Sequence, residues 1–208
     1  MRRTKEDAEQ TRKAILASAM DMFYEKGYSK TTFDEIAKHI NLTKGAVYWY
    51  FRNKPDIVAA LINDFAGKYM EILGQFLINN RTASFERIIK MQLFINKQIR
   101  EDELFYKFLF FITCQMEWSE AIISKIQPSI EQTKQVTRNL FVEALKTLQE
   151  EKQIREDVDV LMIAEILMTM YGGILDAAFT RRLTNEFDTL VSTGFNLIFN
   201  SIKTEGAK

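Results

Sequence analysis

The sequence predicts an all-α protein in which a short N-terminal three-helix domain precedes a larger helical domain. Three observations carry that prediction. Apolar residues recur three and four apart along nearly the whole chain, the period of a helix with one buried face, and no alternating stretch competes as a strand. Only two prolines, Pro55 and Pro128, punctuate the 208 residues, so few helices need be broken. Hydrophobic residues make up 47% of the chain, which supplies a core rather than a disordered polymer.

The first helix is expected over 5–26. Ile15, Ala19, Met22 and Phe23 repeat at helical spacing, and Gly27 follows where a left-handed C-terminal residue belongs. "TFDE" at 32–35 offers a capping box, in which the Thr32 hydroxyl accepts from the Glu35 amide and the Glu35 carboxylate reaches back. Ile36, Ala37 and Ile40 form the inward face behind it. "NLT" then makes a very short connection, with Asn41 able to take a left-handed conformation and Thr43 placed to cap the next helix. Two short helices joined by such a turn are a helix-turn-helix. Asn53 is the next cap; Pro55 is tolerated in the turn it opens, and Asp56 suits the positive helix end. That fourth helix, 53–77, connects the two domains, set at 1–52 and 53–208. Further helices are expected at 84–100, 103–113, 118–152, 159–182 and 185–202.

The stretch "TKGAVYWYF", 43–51, carries four aromatic rings in succession. Each helical residue advances about 100 degrees, so Val47 and Phe51 share the inward face while Gly45, Tyr48 and Trp49 point away and Tyr50 lies on the flank. Tyr48 and Trp49 therefore either pack on another part of the chain or touch a partner. Their surroundings favour the partner. The cap at Thr43 aims free backbone amides outward, Lys44 adds charge, and Gly45 leaves room where a phosphate or base edge must come close. Tyr48 and Trp49 offer a hydroxyl, an indole N–H and ring faces, and Lys54 continues the basic line.

Overall charge is balanced, with 28 basic and 28 acidic residues, so any nucleic-acid affinity has to come from placement. Through Asp56 there are eleven Lys/Arg and eight acids, a net +3, which leaves −3 for the remainder. From Thr43 to Lys54 there are three basic residues and no acid. A single cysteine, Cys114, leaves no internal disulfide, and with His39 the one histidine there is no zinc spacing. The sequence contains no nucleotide loop and no nucleophile with a matched base, which argues against an enzyme; no metal or cofactor is expected. The first residues lack an apolar signal stretch. The most apolar span, 160–179, contains Glu165 and Asp176, which lipid would penalise. It is expected to be a buried helix of a cytoplasmic protein, with no membrane partner.

In "ELFYKFLFFITCQMEW", 103–118, aromatics fall all round the helix. Such a helix is expected to be buried centrally, either as ordinary core or lining a cavity for a hydrophobic ligand. Glu117, beside Trp118, would serve a cationic ligand through charge and cation–π attraction. "YGGILDAA", 171–178, sets small residues for close helix contact, and the last helix carries an apolar stripe. Those two helices either pack on their own chain or, through Gly172, Ala177, Val191, Phe195, Ile198 and Ile202, form a two-fold four-helix dimer interface.

The segment 11–61, with Ile15, Ala19, Phe23, Gly27, Tyr28, Thr31, Thr32, Ile36, Ala37, Thr43, Lys44, Gly45, Tyr48, Phe51 and Lys54, resembles the DNA-binding domain of the TetR/AcrR family of repressors. It departs from that pattern at Asn41, where Gly is usual, at Tyr50, where His is common, and at Pro55, where an acid is common. The resemblance implies that Thr32, Thr43, Tyr48, Trp49, Tyr50 and Lys54 position the DNA backbone, while Lys44 and Gly45 approach base edges in the major groove of a double-stranded palindromic operator read by a homodimer. "FFITCQME", with the "RRTKEDAEQTR" start, is similar to the AcrR/TtgR branch that controls multidrug efflux pumps. That likeness implies a repressor released by a small hydrophobic inducer, neutral or cationic, with Phe94, Phe108, Phe111, Cys114, Phe141, Tyr171 and Leu175 joining Glu117 around it. Three rival readings stand beside it: a regulator answering to a fatty-acyl ligand, a regulator with no ligand, and a helical lipid carrier.

Overall fold

The computed structural model describes residues 4–79, 83–180, 183 and 186–204. The helix ends expected at Arg182 and Asn185 lie outside them. Nine α-helices and one π-turn account for the regular structure among the described residues, together with an isolated bridge between Ile154 and Lys203.

Local chemistry sets the element ends. Helix α1 (Lys5–Lys26) starts at Thr4, where the hydroxyl accepts from the Asp7 amide and the Asp7 carboxylate accepts from the Thr4 amide. It stops at Gly27, whose φ of 87° and ψ of 164° lie in the extended half of positive-φ space rather than the left-handed helical region expected from the sequence. Only glycine occupies that region without strain. Helix α2 (Phe33–His39) opens on the expected capping box. Asn41, at φ 55°, turns the chain into α3 (Lys44–Tyr50), where the Thr43 hydroxyl accepts from the Ala46 amide at 3.2 Å. Helix α4 (Lys54–Asn79) starts where Asn53 Oδ1 accepts from the Asp56 amide at 2.9 Å.

Beyond α4 come α5 (Phe85–Glu101), α6 (Glu103–Phe110), the π-turn Phe111–Gln115, α7 (Glu120–Glu150), α8 (Val160–Phe179) and α9 (Phe187–Ile202). The sequence suggested one helix through 113; instead the backbone widens at Phe111. A π-turn adds a residue to the turn. Here Phe111 is fully buried and Gln115 donates to the Tyr24 carbonyl at 3.0 Å.

Contacts divide the chain into two compact units: unit 1 is Met1–Gly67 with Asp102–Ile130, and unit 2 is Lys68–Glu101 with Glu131–Lys208. In unit 1, Ile15, Ala19, Met20 and Phe23 of α1, Ile36 and Ala37 of α2, Val47 of α3 and Ile57, Val58 and Leu61 of α4 are all buried and supply its apolar core. The later segment of unit 1 joins it through rings: Phe111 stacks on Phe23 with centroids 5.0 Å apart, and Phe108 stacks on Phe65 at 4.0 Å. Lys107 donates to Asp21 at 2.8 Å and pairs with Glu103 at 2.7 Å, and these two carboxylates, Asp21 foremost, hold its pKa above the usual lysine range. The aromatic segment is therefore one-sided rather than buried all round: Phe105, Phe108 and Phe111 turn in, while Leu104, Tyr106 and Trp118 are exposed.

Unit 2 packs α9 on α5 and α8. Gly194 lets α8 come close there: a Cβ would lie 2.7 Å from the Met170 sulfur, so a larger residue would make the flexible methionine side chain shift. Within this apolar unit runs a hydrogen-bonded chain of polar groups. Tyr171 donates to Asn96 Oδ1 at 2.8 Å, Asn96 donates to Asp188 at 2.8 Å, and Arg100 donates to the same carboxylate at 2.9 Å. Burial pushes the Tyr171 hydroxyl well above its ordinary pKa, with Tyr69 and Asp188 adding to the shift. Helix α8 also departs from expectation. Its Val160, Ala164, Leu167 and Phe179 are buried, but Leu161, Met162 and Ile166 are exposed on the other side.

Candidate nucleic-acid interface

The helix-turn-helix presents its second helix outward for a physical reason. Val47 and Phe51 anchor α3 in the core, and four-residue spacing places the residues between them on the opposite side. Tyr48 is 50% exposed and Trp49 74% exposed. Neither ring is loose. Tyr48 leans on Phe33 with centroids 4.7 Å apart, and Trp49 meets Tyr50 edge-on at 4.6 Å. The Lys44 ammonium lies 6.0 Å from the Tyr48 ring centre.

Gly45 is exposed, and a Cβ added there would meet only the Thr43 hydroxyl, at an ordinary 3.9 Å. Packing within the chain does not demand a glycine there. The N-termini of α1 and α3 flank a notch lined by Thr4, Lys5, Thr43, Gly45, Trp49 and Tyr50, among others. The Tyr50 hydroxyl is buried without a hydrogen-bond partner, an uncompensated polar group that ordinary packing avoids.

Thr32 is exposed at the head of α2. Its amide and hydroxyl both donate to Glu35 Oε2, at 2.9 and 2.7 Å. Lys26 and then Thr32 hold the Glu35 carboxyl down at about 2. Lys54, also read from the sequence as facing DNA, is turned elsewhere. Its ammonium donates to the Tyr28 carbonyl at 2.7 Å and the Ser29 carbonyl at 3.2 Å, and lies 4.4 Å from the centre of the Tyr28 ring.

The residues read as inducer contacts fall in both units. In unit 1, Phe108 and Phe111 are core rings, Cys114 is exposed, and Glu117 accepts from the Ser29 hydroxyl at 2.6 Å. In unit 2, Phe94 leans on Phe76 at 5.7 Å, Phe141 is buried, Leu175 is half-buried and Tyr171 belongs to the polar chain. Phe141 also lines a cavity of about 30 Å³ with Phe76, Ile88 and Met91, room for about one water molecule. Of the residues read as an interface, Val191, Phe195 and Ile202 are already buried within unit 2, Gly172 is exposed, and Ala177 and Ile198 are half-buried. The outward apolar residues of the two last helices are Leu161, Met162, Ile166 and Leu197. Sequence reasoning passed over Gln92 and Asn96, whose signal is polar side chains at positions in phase with Ile88, Ile95 and Ile99 on the buried stripe of α5.

A capped second helix carrying an exposed lysine and two exposed aromatics is the arrangement of a helix-turn-helix protein of the DNA-binding class. Residues 15–61 match the family of bacterial regulatory proteins of the tetR type. The repressor BepR of Brucella suis biovar 1 (strain 1330) is 29% identical over 185 residues, covering 85% of this chain and 84% of BepR. NalD, the secondary repressor of the MexAB-OprM multidrug efflux pump in Pseudomonas aeruginosa, has the same fold, with a TM-score of 0.78 at 20% identity over 97% of this chain and 100% of NalD. The triclosan complex of SmeT, repressor of the Stenotrophomonas maltophilia efflux pump SmeDEF, superposes with a TM-score of 0.76 at 21% identity over 96% and 94% of the two chains. Residues 15–61 are thus those of a tetR-type DNA-binding domain, and the whole chain is similar to transcriptional regulators of the TetR/AcrR type.

Proposed function

We propose that this regulator is a repressor that binds a palindromic operator as a homodimer and is released by a small hydrophobic inducer, acting on a multidrug efflux system in the cytoplasm. The observation that carries the reading is α3 itself: Tyr48 and Trp49 stand exposed at 50% and 74% on a helix whose cap, lysine and glycine all suit a phosphate or base edge. Thr43, Tyr48 and Trp49 hold the backbone, Tyr50 braces Trp49 edge-on, Thr32 supports them from α2, and Lys44 and Gly45 reach the bases. The functional division lies at 52/53, with inducer binding and dimerisation beyond it. BepR and NalD are repressors by name, and NalD and SmeT act on efflux pumps.

Dimerisation uses the outward apolar face of the last two helices. Leu161, Met162, Ile166 and Leu197 are exposed there with Gly172, an arrangement that a second copy would cover in a two-fold bundle. An inducer acts by preferring the state that cannot bind DNA, with α4 as the element that moves. A second reading, a regulator without inducer, is favoured by the closeness of packing around Phe141, where the cavity holds about one water molecule.

Fluorescence anisotropy on DNA from upstream of the protein's own gene, with and without triclosan and planar cations, tests both. Salt-sensitive, nanomolar-range binding released by one compound class supports the inducible repressor. Tight binding released by none supports the second reading, and absence of specific binding refutes the operator assignment.

A further inference from the structure

Lys54 and Glu117 hold the same loop from two sides. The loop 27–32 joins α1 to α2 and so sets where the helix-turn-helix sits on α1. Its carbonyls at Tyr28 and Ser29 both accept from Lys54, at 2.7 and 3.2 Å, and the Tyr28 ring centre lies 4.4 Å from the same ammonium. An ammonium has three N–H donors; two are engaged by carbonyls and the remaining direction has the ring face to meet. Glu117 reaches the loop from the stretch that follows the π-turn, accepting from the Ser29 hydroxyl at 2.6 Å. Gln115, inside that turn, fixes the Tyr24 carbonyl at 3.0 Å.

We propose that Lys54 is a positioning residue for operator binding, which with Glu117 orients the helix-turn-helix through the loop 27–32 and makes no phosphate contact of its own. The inference rests on the operator reading above and changes what one of its cations does. Charge arithmetic separates the two roles. A lysine that neutralises a phosphate releases a counterion, and losing it lowers the slope of log affinity against log salt by about 0.9 per contact. A lysine that orients the module leaves the slope alone and weakens binding at every salt concentration. Glu117 supplies the opposite check. Removing a negative charge near DNA strengthens binding if only long-range electrostatics are involved, and weakens it if the Ser29 hydrogen bond positions the reading head.

The experiment uses the full-length protein and a duplex that it selects from a random pool, titrated across a range of salt concentrations. Lys54→Gln is expected to bind roughly ten-fold more weakly, the loss of charge-assisted hydrogen bonds, with the salt slope of the unaltered protein. Glu117→Leu is expected to weaken binding, with Glu117→Gln, which keeps an acceptor, recovering most of the loss. Ser29→Ala, at a surface hydroxyl, is expected to mimic Glu117→Leu and to add nothing to it; this pair decides the matter if Lys54→Gln does not fold. A slope reduced by about 0.9 per subunit in Lys54→Gln, or tighter binding by Glu117→Leu, overturns the assignment. Failure to select any duplex overturns the operator reading itself, a result distinct from either.

Discussion

Truncating Phe111 to alanine separates a core ring from an inducer contact. The side chain is fully buried, and its ring lies 5.0 Å from that of Phe23 with the planes 14° apart. A phenyl side chain removes on the order of 150 Å² from water, which at about 25 cal/mol per Å² corresponds to about 4 kcal/mol. That estimate falls within the range of about 3–5 kcal/mol measured for buried Phe→Ala changes, where part of the loss is the cavity left behind. The stacked pair adds about 1 kcal/mol that neither ring has alone. Urea unfolding followed by tryptophan fluorescence reads the right region, because Trp49 and Trp118 both belong to unit 1. Phe111→Ala is expected to lower the unfolding free energy by about 4 kcal/mol, and a cycle with Phe23→Ala to show a coupling of about 1 kcal/mol. Protein concentration must be held fixed, since a dimer of the kind proposed would make apparent stability depend on it. A loss below about 1 kcal/mol, in the range of an ordinary substitution, would refute the packing argument and return Phe111 to the wall of a cavity.

Four further outcomes follow from the same geometry. Trp49→Ala, at a position 74% exposed, should change stability by less than about 0.5 kcal/mol yet weaken operator binding at least ten-fold; equal affinity in an anisotropy titration would remove Trp49 from the interface. The Glu35 carboxyl, held at about 2 by Lys26 and Thr32 against an ordinary 4.5, contributes stability that is complete above about 4.5 and lost as pH falls towards 2, because a depressed folded pKa favours the fold only where the unfolded group would also be ionised; an NMR titration midpoint near 4.5 would contradict the ion pair. Tyr171→Phe removes one donor and should cost about 1 kcal/mol, whereas Asn96→Leu strands both the Tyr171 hydroxyl and one bond to Asp188 and should cost about 2–3 kcal/mol, an order that denaturant melts can check. Leu197→Arg, at a residue 67% exposed, should convert a dimer to monomers in sedimentation, and an unchanged mass would remove that face from the assembly.

Much of the fold was legible because its local signals agree with one another. The capping box at Thr32 and Glu35, the turn at Asn41 and the cap at Thr43 each act within four residues, so their chemistry does not depend on what packs later. The π-turn at Phe111 was not legible. Phe110 and Phe111 are equally plausible helix residues in isolation, and it is the stacking of Phe111 on Phe23 and the hold of Gln115 on Tyr24 that favour a wider turn there. The polar chain in unit 2 was missed for a related reason. Gln92 and Asn96 look like surface residues by type, and only their partners, Tyr171 on α8 and Asp188 on α9, explain why α5 can bury them.

Apolar periodicity on the last two helices carried two meanings that a sequence does not separate. Residues four apart share a face, so Val191 and Phe195 were grouped correctly with each other, and the structure places both at zero exposure inside unit 2. The face that stays open is defined by Leu161, Met162, Ile166 and Leu197, four large apolar groups whose exposure a lone chain in water gains nothing from. Lys54 poses the same problem in electrostatic form. Its place in a run of basic residues suggests a phosphate contact, yet its ammonium already has the Tyr28 and Ser29 carbonyls and the Tyr28 ring as partners, and moving it onto DNA would leave two carbonyls of the α1–α2 loop to be satisfied again. For a charged residue beside a turn, the competing backbone acceptors decide the role, and these become visible only once the loop has closed around it.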